Sequence, residues 1–154
     1  MVQKEKRYRR LALLLVLGVI LLLMLPILLS TGEDRVEQVF HRQQAAFART
    51  AEAALAGEGW QLPGGVQAVN VWPCVDRPGA ELVEFTLGGW GLGSQGDYWA
   101  VYTTTDGLPA GFQGTEMALT ETAPGQFSWR EGAGDNRYRT WSLAPGWFGC
   151  RMHF

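Results

Sequence analysis

The 154 residues carry a formal net charge of −2, but the two parts of the chain differ strongly in charge. Residues 1–10 hold five Lys or Arg against one Glu, whereas residues 31–154 hold 8 Arg, no Lys and 14 acids. That acidic balance argues against nucleic acid as a partner, because binding requires cations that neutralise phosphates. Without residues 1–30, the chain is long enough for one domain and too short for two.

The first predicted element is an apolar segment that runs from Leu11 to Leu29 without a charged or hydrogen-bonding side chain. A helix of about 20 such residues spans a hydrocarbon core of roughly 30 Å, so residues 11–30 predict a transmembrane helix in contact with the lipid bilayer. Cationic flanks stay in the cytoplasm, so residues 1–10 are expected as a basic cytoplasmic tail of a single-pass cell-membrane protein. A cleaved signal peptide is the alternative, although the apolar stretch is long for one.

Residues 31–58 predict a juxtamembrane amphipathic helix. Val36, Phe40, Phe47 and Ala51 recur at helical spacing, and most of the charged residues fall off that face. Acidic residues open the segment, where the positive end of a helix dipole favours them, and glycines close it. Whether this helix continues the apolar one is left open by the sequence.

From residue 59 onward the pattern changes to the alternation of β-strands, which predicts an extracytoplasmic antiparallel β domain over 59–154. The fold class expected is therefore α+β, with the amphipathic helix packed on a curled sheet of about seven short strands. A closed barrel or a sandwich is the alternative. The glycine-rich residues 88–96 are expected as a loop. The seven strands are expected at 66–74, 80–87, 97–104, 115–121, 126–131, 137–143 and 147–154.

The two cysteines, Cys74 and Cys150, both fall on the side of the membrane that is expected to be oxidising. An even pair of cysteines in such a compartment predicts a disulfide. Closing a loop of about 75 residues would stabilise the fold by up to about 4 kcal/mol. Two buried thiols that do not pair are the alternative.

Motifs for catalysis, cofactors and metals give no assignment. The glycine-rich stretch lacks the Lys-Ser/Thr of a phosphate-binding loop, and the two histidines have no partner at metal-ligand spacing. Cys150 and His153 would lie on opposite faces of a regular strand, which makes them a poor nucleophile and base. No catalytic residue, no cofactor and no metal ligand is therefore predicted.

The aromatic side chains on the predicted strands are the one feature of the sequence that suggests a binding site. On an open sheet face they can stack on sugars or hold a peptide, and two arginines on one strand face can hold a carboxylate. A sheet also needs a core, and the same aromatics would fill it. The candidate ligand platform consists of Trp99, Tyr102, Trp129, Arg137, Arg139 and Trp141.

Two long segments carry a resemblance: DYWAVYTTTDGLPAGFQG at 97–114 and WREGAGDNRYRTWSLAPGWFGCRMHF at 129–154. With the basic tail, the apolar segment and the helical RVEQVFHRQQAAF, they make the chain resemble small uncharacterised bacterial proteins that are anchored in the membrane by a single pass. The resemblance implies a membrane-attached domain of unknown function from a Gram-positive-type bacterium. It brings no assigned activity and no catalytic residue.

These features favour a membrane-anchored extracytoplasmic domain that binds an envelope protein or a wall component without catalysis. One alternative is a carboxylate-based hydrolase that acts on envelope glycan or peptide, which would need two carboxylates about 5–10 Å apart in an aromatic groove. Another is a small accessory subunit of a membrane complex, with Leu11 to Leu29 as its contact.

Overall fold

The structure is a computed structural model that describes residues 32–92 and 95–154, with the backbone alone for residues 90–92. The described part consists of one helix and seven strands, with a short 3₁₀ turn at Phe112–Gly114 between β3 and β4. The elements are α1 (Gly32–Leu55), β1 (Ala68–Pro73), β2 (Glu81–Leu92), β3 (Gln95–Thr104), β4 (Thr120–Ala123), β5 (Gln126–Arg130), β6 (Arg137–Ala144) and β7 (Trp147–His153).

α1 forms over the segment whose apolar residues recur at helical spacing. Val36, Phe40, Phe47 and Ala51 are all buried against the sheet, so one stripe of the helix supplies its packing energy. The helix bends at Gln43, whose backbone is not helical, and the side-chain amide of Gln43 exchanges two hydrogen bonds with the backbone of Gly64.

A glycine ends α1. Gly57 has a φ of 68°, a left-handed conformation that suits glycine, and its N–H donates to the carbonyl of Ala54. The N–H of Glu58 donates to the carbonyl of Ala53 at 2.9 Å, which completes the Schellman pattern. The chain then turns back along the helix toward β1.

The seven strands form one antiparallel sheet in the order β1-β2-β3-β7-β6-β5-β4. β1 to β3 make a first meander, the segment 105–119 carries the chain to the opposite edge, and β4 to β7 return as a second meander. β7 closes the arrangement by pairing with β3 along Asp97–Thr103, so the last strand lies in the middle of the sheet.

Each face of the sheet carries a buried core over part of its area. On one side, the helix buries a cluster that includes Phe47, Phe85 and Val101. On the other side, the segment after β3 covers a second cluster that includes Tyr102, Tyr138 and Cys150. Gly32–Phe154 is one compact unit, so the helix predicted over 31–58 and the β domain predicted over 59–154 share a core.

The expected fold class is wrong in its first element, the transmembrane helix. Within residues 32–92 and 95–154, no helix is both long enough and apolar enough to cross a membrane. α1 is long, but its outer face carries exposed charges such as Arg35 and Arg42. Residues 11–30, to which the predicted transmembrane helix was assigned, lie outside the described residues. The α+β class, with one helix on a seven-stranded antiparallel sheet, is confirmed.

The predicted disulfide is also wrong, because Cys74 and Cys150 are both free, buried thiols. Cys74 follows β1 and Cys150 lies on β7, which is three strand spacings away, or about 14 Å. They also differ in height: Cys150 pairs with Ala100, whereas Cys74 lies beyond the level of Thr104, roughly 15 Å farther along the strands. A disulfide requires Cα atoms within about 7 Å.

Two local boundaries differ from the sequence expectation. Most of the glycine-rich stretch that was expected as a loop belongs to strands: residues 88–92 extend β2 and residues 95–96 open β3, and the register shifts between Thr86 and Gly88. Gly88 has a φ of 135°, which L side chains rarely adopt, so glycine permits the irregularity there. The expected fourth strand at 115–121 begins only at Thr120, because the preceding residues pack over the second core.

Candidate functional site

The structure divides the predicted ligand platform between the two faces of the sheet. Trp99, Arg137, Arg139 and Trp141 lie on the side of α1, whereas Tyr102 and Trp129 lie on the opposite side, as strand alternation requires. Tyr102 is 1% exposed and Trp141 is 8% exposed, so both belong to the core. Trp99 and Trp129 are half-buried, and only the two arginines are exposed.

Cationic side chains gather on the helix side of three neighbouring strands, and we call this surface the arginine face. The sheet register pairs Arg130 with Arg137, Arg137 with His153, and Arg139 with Arg151. Directly paired residues point to the same side of the sheet with Cβ atoms about 5 Å apart. The arginine face therefore consists of Arg130, Arg137, Arg139, Arg151 and His153.

Like charges that lie directly opposite each other on a sheet destabilise it unless anions compensate them. Two carboxylates do so in part. Glu33, in the first turn of α1, accepts a hydrogen bond from Arg139 at 2.7 Å. Asp97, on β3, accepts one from Nε of Arg151 at 2.8 Å. Four arginines against these two carboxylates leave the face with a formal charge of +2.

Asp97 is a buried carboxylate that contacts two side chains of the arginine face. It is 8% exposed, and the same oxygen that accepts from Arg151 lies 3.2 Å from Nδ1 of His153. Burial by itself would raise the pKa of Asp97, but the hydrogen bonds and charges of Arg151 and His153 outweigh it and lower the pKa below its ordinary value of 3.8. The carboxylate is therefore ionised and fixes both side chains in place.

Trp99 contacts both the arginine face and the first residue of α1. The guanidinium of Arg151 lies over the Trp99 ring, 4.9 Å from its centre, which is a cation–π contact. Gly32 lies so close to the same ring that a Cβ atom there would overlap it. Within the described residues, α1 leaves the cationic rows at least partly exposed beside Gly32.

A cavity of about 220 Å³ opens on this surface and is lined by Arg137, Arg139, Arg151 and His153. That volume is the share of about seven water molecules in the liquid, enough for a small anionic group. Among the described residues, Arg137 makes no ion pair, so its guanidinium is available to a ligand. The arrangement can bind an anion.

The opposite face holds a buried acid, Glu84, which is 1% exposed. Its carboxyl group accepts a hydrogen bond from the Tyr98 hydroxyl at 2.7 Å, and that hydroxyl also bonds Thr86. Burial raises the pKa of Glu84, and interactions with Tyr98, Trp72 and Gln113 only partly oppose the rise. Glu84 and Asp97 lie on opposite faces of the sheet, so these two carboxyls do not share a groove.

A larger groove of about 430 Å³ runs between α1 and the segment 59–64. Trp60 and Leu62 are exposed at its edge, but the backbone of the segment is tied to the helix by Gln43 and by Thr50, which donates to the carbonyl of Gln61. Arg49 is the one cation that lines it. In the part of the chain that the structure describes, no three His, Cys, Asp or Glu side chains are grouped to hold a metal ion.

Fold and surface together define an α+β domain, one helix on an antiparallel sheet, with a cationic surface beside the start of the helix. No known protein family matches the chain, and neither a curated protein nor a solved structure matches it. The resemblance to single-pass bacterial proteins therefore stays a prediction.

Sequence reasoning found Arg137 and Arg139 but missed Arg130, Arg151, His153 and Asp97 as their neighbours. A signal for two of them was present. A hairpin that turns around Ala144, Pro145 and Gly146 places position 139 opposite 151 and position 137 opposite 153. The pairing of β7 with β3, which brings in Asp97, had no such local signal.

Proposed function

We propose that Gly32–Phe154 is a non-enzymatic binding module of the cell envelope that holds an anionic group of its partner on the arginine face. The observation that carries the proposal is the cross-strand register, which places Arg139 directly opposite Arg151 and Arg137 beside His153. Such rows cost free energy in an isolated domain, and an anion that bridges them recovers it.

The structure offers less support for the hydrolase alternative. A glycosidase-like mechanism needs two carboxylates on either side of one bond, with the pKa of one raised. The carboxyl with the raised pKa, Glu84, is buried, and Asp97 is committed to Arg151 and His153 on the opposite face.

Location remains part of the proposal. The order of a basic tail, an apolar stretch and an acidic domain favours a protein held at the cell membrane with its C-terminal domain outside. An accessory subunit of a membrane complex stays an alternative, and its predicted contact at Leu11 to Leu29 lies outside the described residues.

Binding of the full chain to isolated cell envelopes tests the proposal. In Arg137→Gln/Arg139→Gln, two exposed cations of the arginine face are neutralised. The matched control, Arg35→Gln/Arg42→Gln, neutralises two exposed cations of α1 and changes the net charge equally. We expect at least tenfold weaker binding for the first variant, which corresponds to about 1.4 kcal/mol, and less than a twofold change for the control. Equal losses in both variants would show a general charge effect and refute the proposal.

A further inference from the structure

We infer that the group bound by the arginine face is a phosphate ester, held by guanidinium groups from two neighbouring strands. The inference deepens the proposed function and rests on it. It concerns the chemical class of the ligand, which the charge of the surface alone does not decide.

The spacing of the cations favours phosphate over carboxylate. Arg139 and Arg151 lie on adjacent strands about 4.8 Å apart, and Arg137, which precedes Arg139 on β6, lies on the same face about 6.8 Å away. A carboxylate has two oxygens in one plane, which a single guanidinium fork satisfies. A phosphate ester presents its oxygens tetrahedrally, so it can accept from several guanidiniums that approach from different strands.

The two carboxylates that pair with the arginine face leave several guanidinium N–H donors unused. Asp97 accepts from Nε of Arg151, and Glu33 accepts from one terminal nitrogen of Arg139. Each guanidinium has five N–H donors, so both retain donors for a ligand after these bonds form. Asp97 and the Trp99 ring hold Arg151 in one orientation, which reduces the entropy lost when a ligand binds.

The charge of the surface also suits phosphate. Its formal value of +2 compensates both the single negative charge of a phosphate diester, as in a phospholipid, and the roughly −1.5 to −2 that a phosphate monoester carries near neutral pH. The cavity of about 220 Å³, lined by the cations themselves, admits such a group while its ester substituent stays in solvent. A phosphate ester can come from a lipid headgroup or from a soluble molecule, and the chemistry recognised is the same.

The histidines provide a direct readout, because the chain has two of them. His153 lines the cavity, whereas His41 is exposed on α1 and serves as an internal control. We would follow both imidazole proton resonances of the full chain in a non-ionic maltoside detergent. Glycerol 3-phosphate, acetate at equal ionic strength, or phosphatidylglycerol would be added in separate titrations. The lipid control is phosphatidylcholine, whose phosphate diester is neutralised by its own choline cation.

We expect glycerol 3-phosphate or phosphatidylglycerol to shift the His153 resonance in a saturable way, while His41 stays unchanged. Acetate should need at least tenfold higher concentration. Saturation by glycerol 3-phosphate would identify a soluble ester, and saturation by phosphatidylglycerol alone would identify a lipid headgroup. In Arg137→Lys/Arg139→Lys, which keeps the charge but loses the planar fork, the apparent Kd should rise at least tenfold.

Two failures are distinguishable. Equal saturation by acetate and phosphate, or full binding by the lysine variant, would overturn the phosphate inference and leave an anion-binding module in place. Absence of any saturable shift at His153 with any of these anions, together with envelope binding that ignores Arg137→Gln/Arg139→Gln, would overturn both.

Discussion

Neutralising the buried acid Glu84 should change how the stability of the protein depends on pH. Glu84 is 1% exposed, and burial raises the pKa of its carboxyl group above the ordinary value of 4.5. Above pH 4.5 the unfolded chain therefore releases this proton before the folded protein does. The folded state holds up to one more proton, so the free energy of unfolding falls as pH rises, by up to about 1.4 kcal/mol per pH unit, until the folded pKa is passed.

In Glu84→Gln this slope should disappear, because an amide does not titrate, yet it still accepts the hydrogen bond from Tyr98. Glu81→Gln is the matched control, since Glu81 is an exposed carboxylate on the same strand. Asp97 does not interfere. Its pKa is lowered, so the stability it contributes is lost only as pH falls below about 3.8.

The assay is urea denaturation of the full chain between pH 5 and 8, followed by tryptophan fluorescence. Wild type and Glu81→Gln should lose stability with rising pH relative to Glu84→Gln. Parallel pH profiles for wild type and Glu84→Gln would refute the claim that burial raises the pKa of Glu84.

Three further predictions concern the fold. Cys74 and Cys150 are both buried and free. Without reductant, neither should react with a thiol reagent in the native full chain, and both should react in urea. If neither reacted in urea, the two cysteines would be joined in a disulfide after all. Phe47→Ala should lower the free energy of unfolding by about 3–5 kcal/mol in urea denaturation, because Phe47 is fully buried between α1 and the sheet; a loss below 1 kcal/mol would contradict this packing. Gly114→Ala should lower the melting temperature more than Gly59→Ala does, because Gly114 has a φ of 73° and faces the Pro73 carbonyl, whereas Gly59 has open space; equal effects would contradict the geometry of this turn.

The parts of the fold that local patterns encode were predictable. The helical spacing of Phe40, Phe47 and Ala51 predicted the buried face of α1, and alternation located most strands of the sheet. The second meander ends in a hairpin around Pro145 and Gly146, and the position of that turn determines which arginines of β6 and β7 lie opposite each other. These features depend on residues that are close in sequence.

The parts that failed depend on long-range pairing. Two cysteines in one compartment predicted a disulfide, but only the order of the strands reveals that β1 and β7 are separated by two other strands. The acidic balance of residues 31–154 argued against nucleic acid as a partner, but a sum of charges does not show that four of the 8 arginines share one face. The position of Asp97 beneath Arg151 likewise follows from the pairing of β3 with β7.

A photo-crosslinking residue placed on the arginine face tests the central claim most directly. Ser128 pairs with Arg139, so a photoreactive side chain at position 128 of the full chain would lie on this surface, whereas one at the exposed Val75 would lie away from it. In intact cells, we predict a discrete crosslinked product from position 128 that is lost in Arg137→Gln/Arg139→Gln, with no such product from position 75. The same product from both positions, or a product at 128 that survives loss of both arginines, would contradict the account.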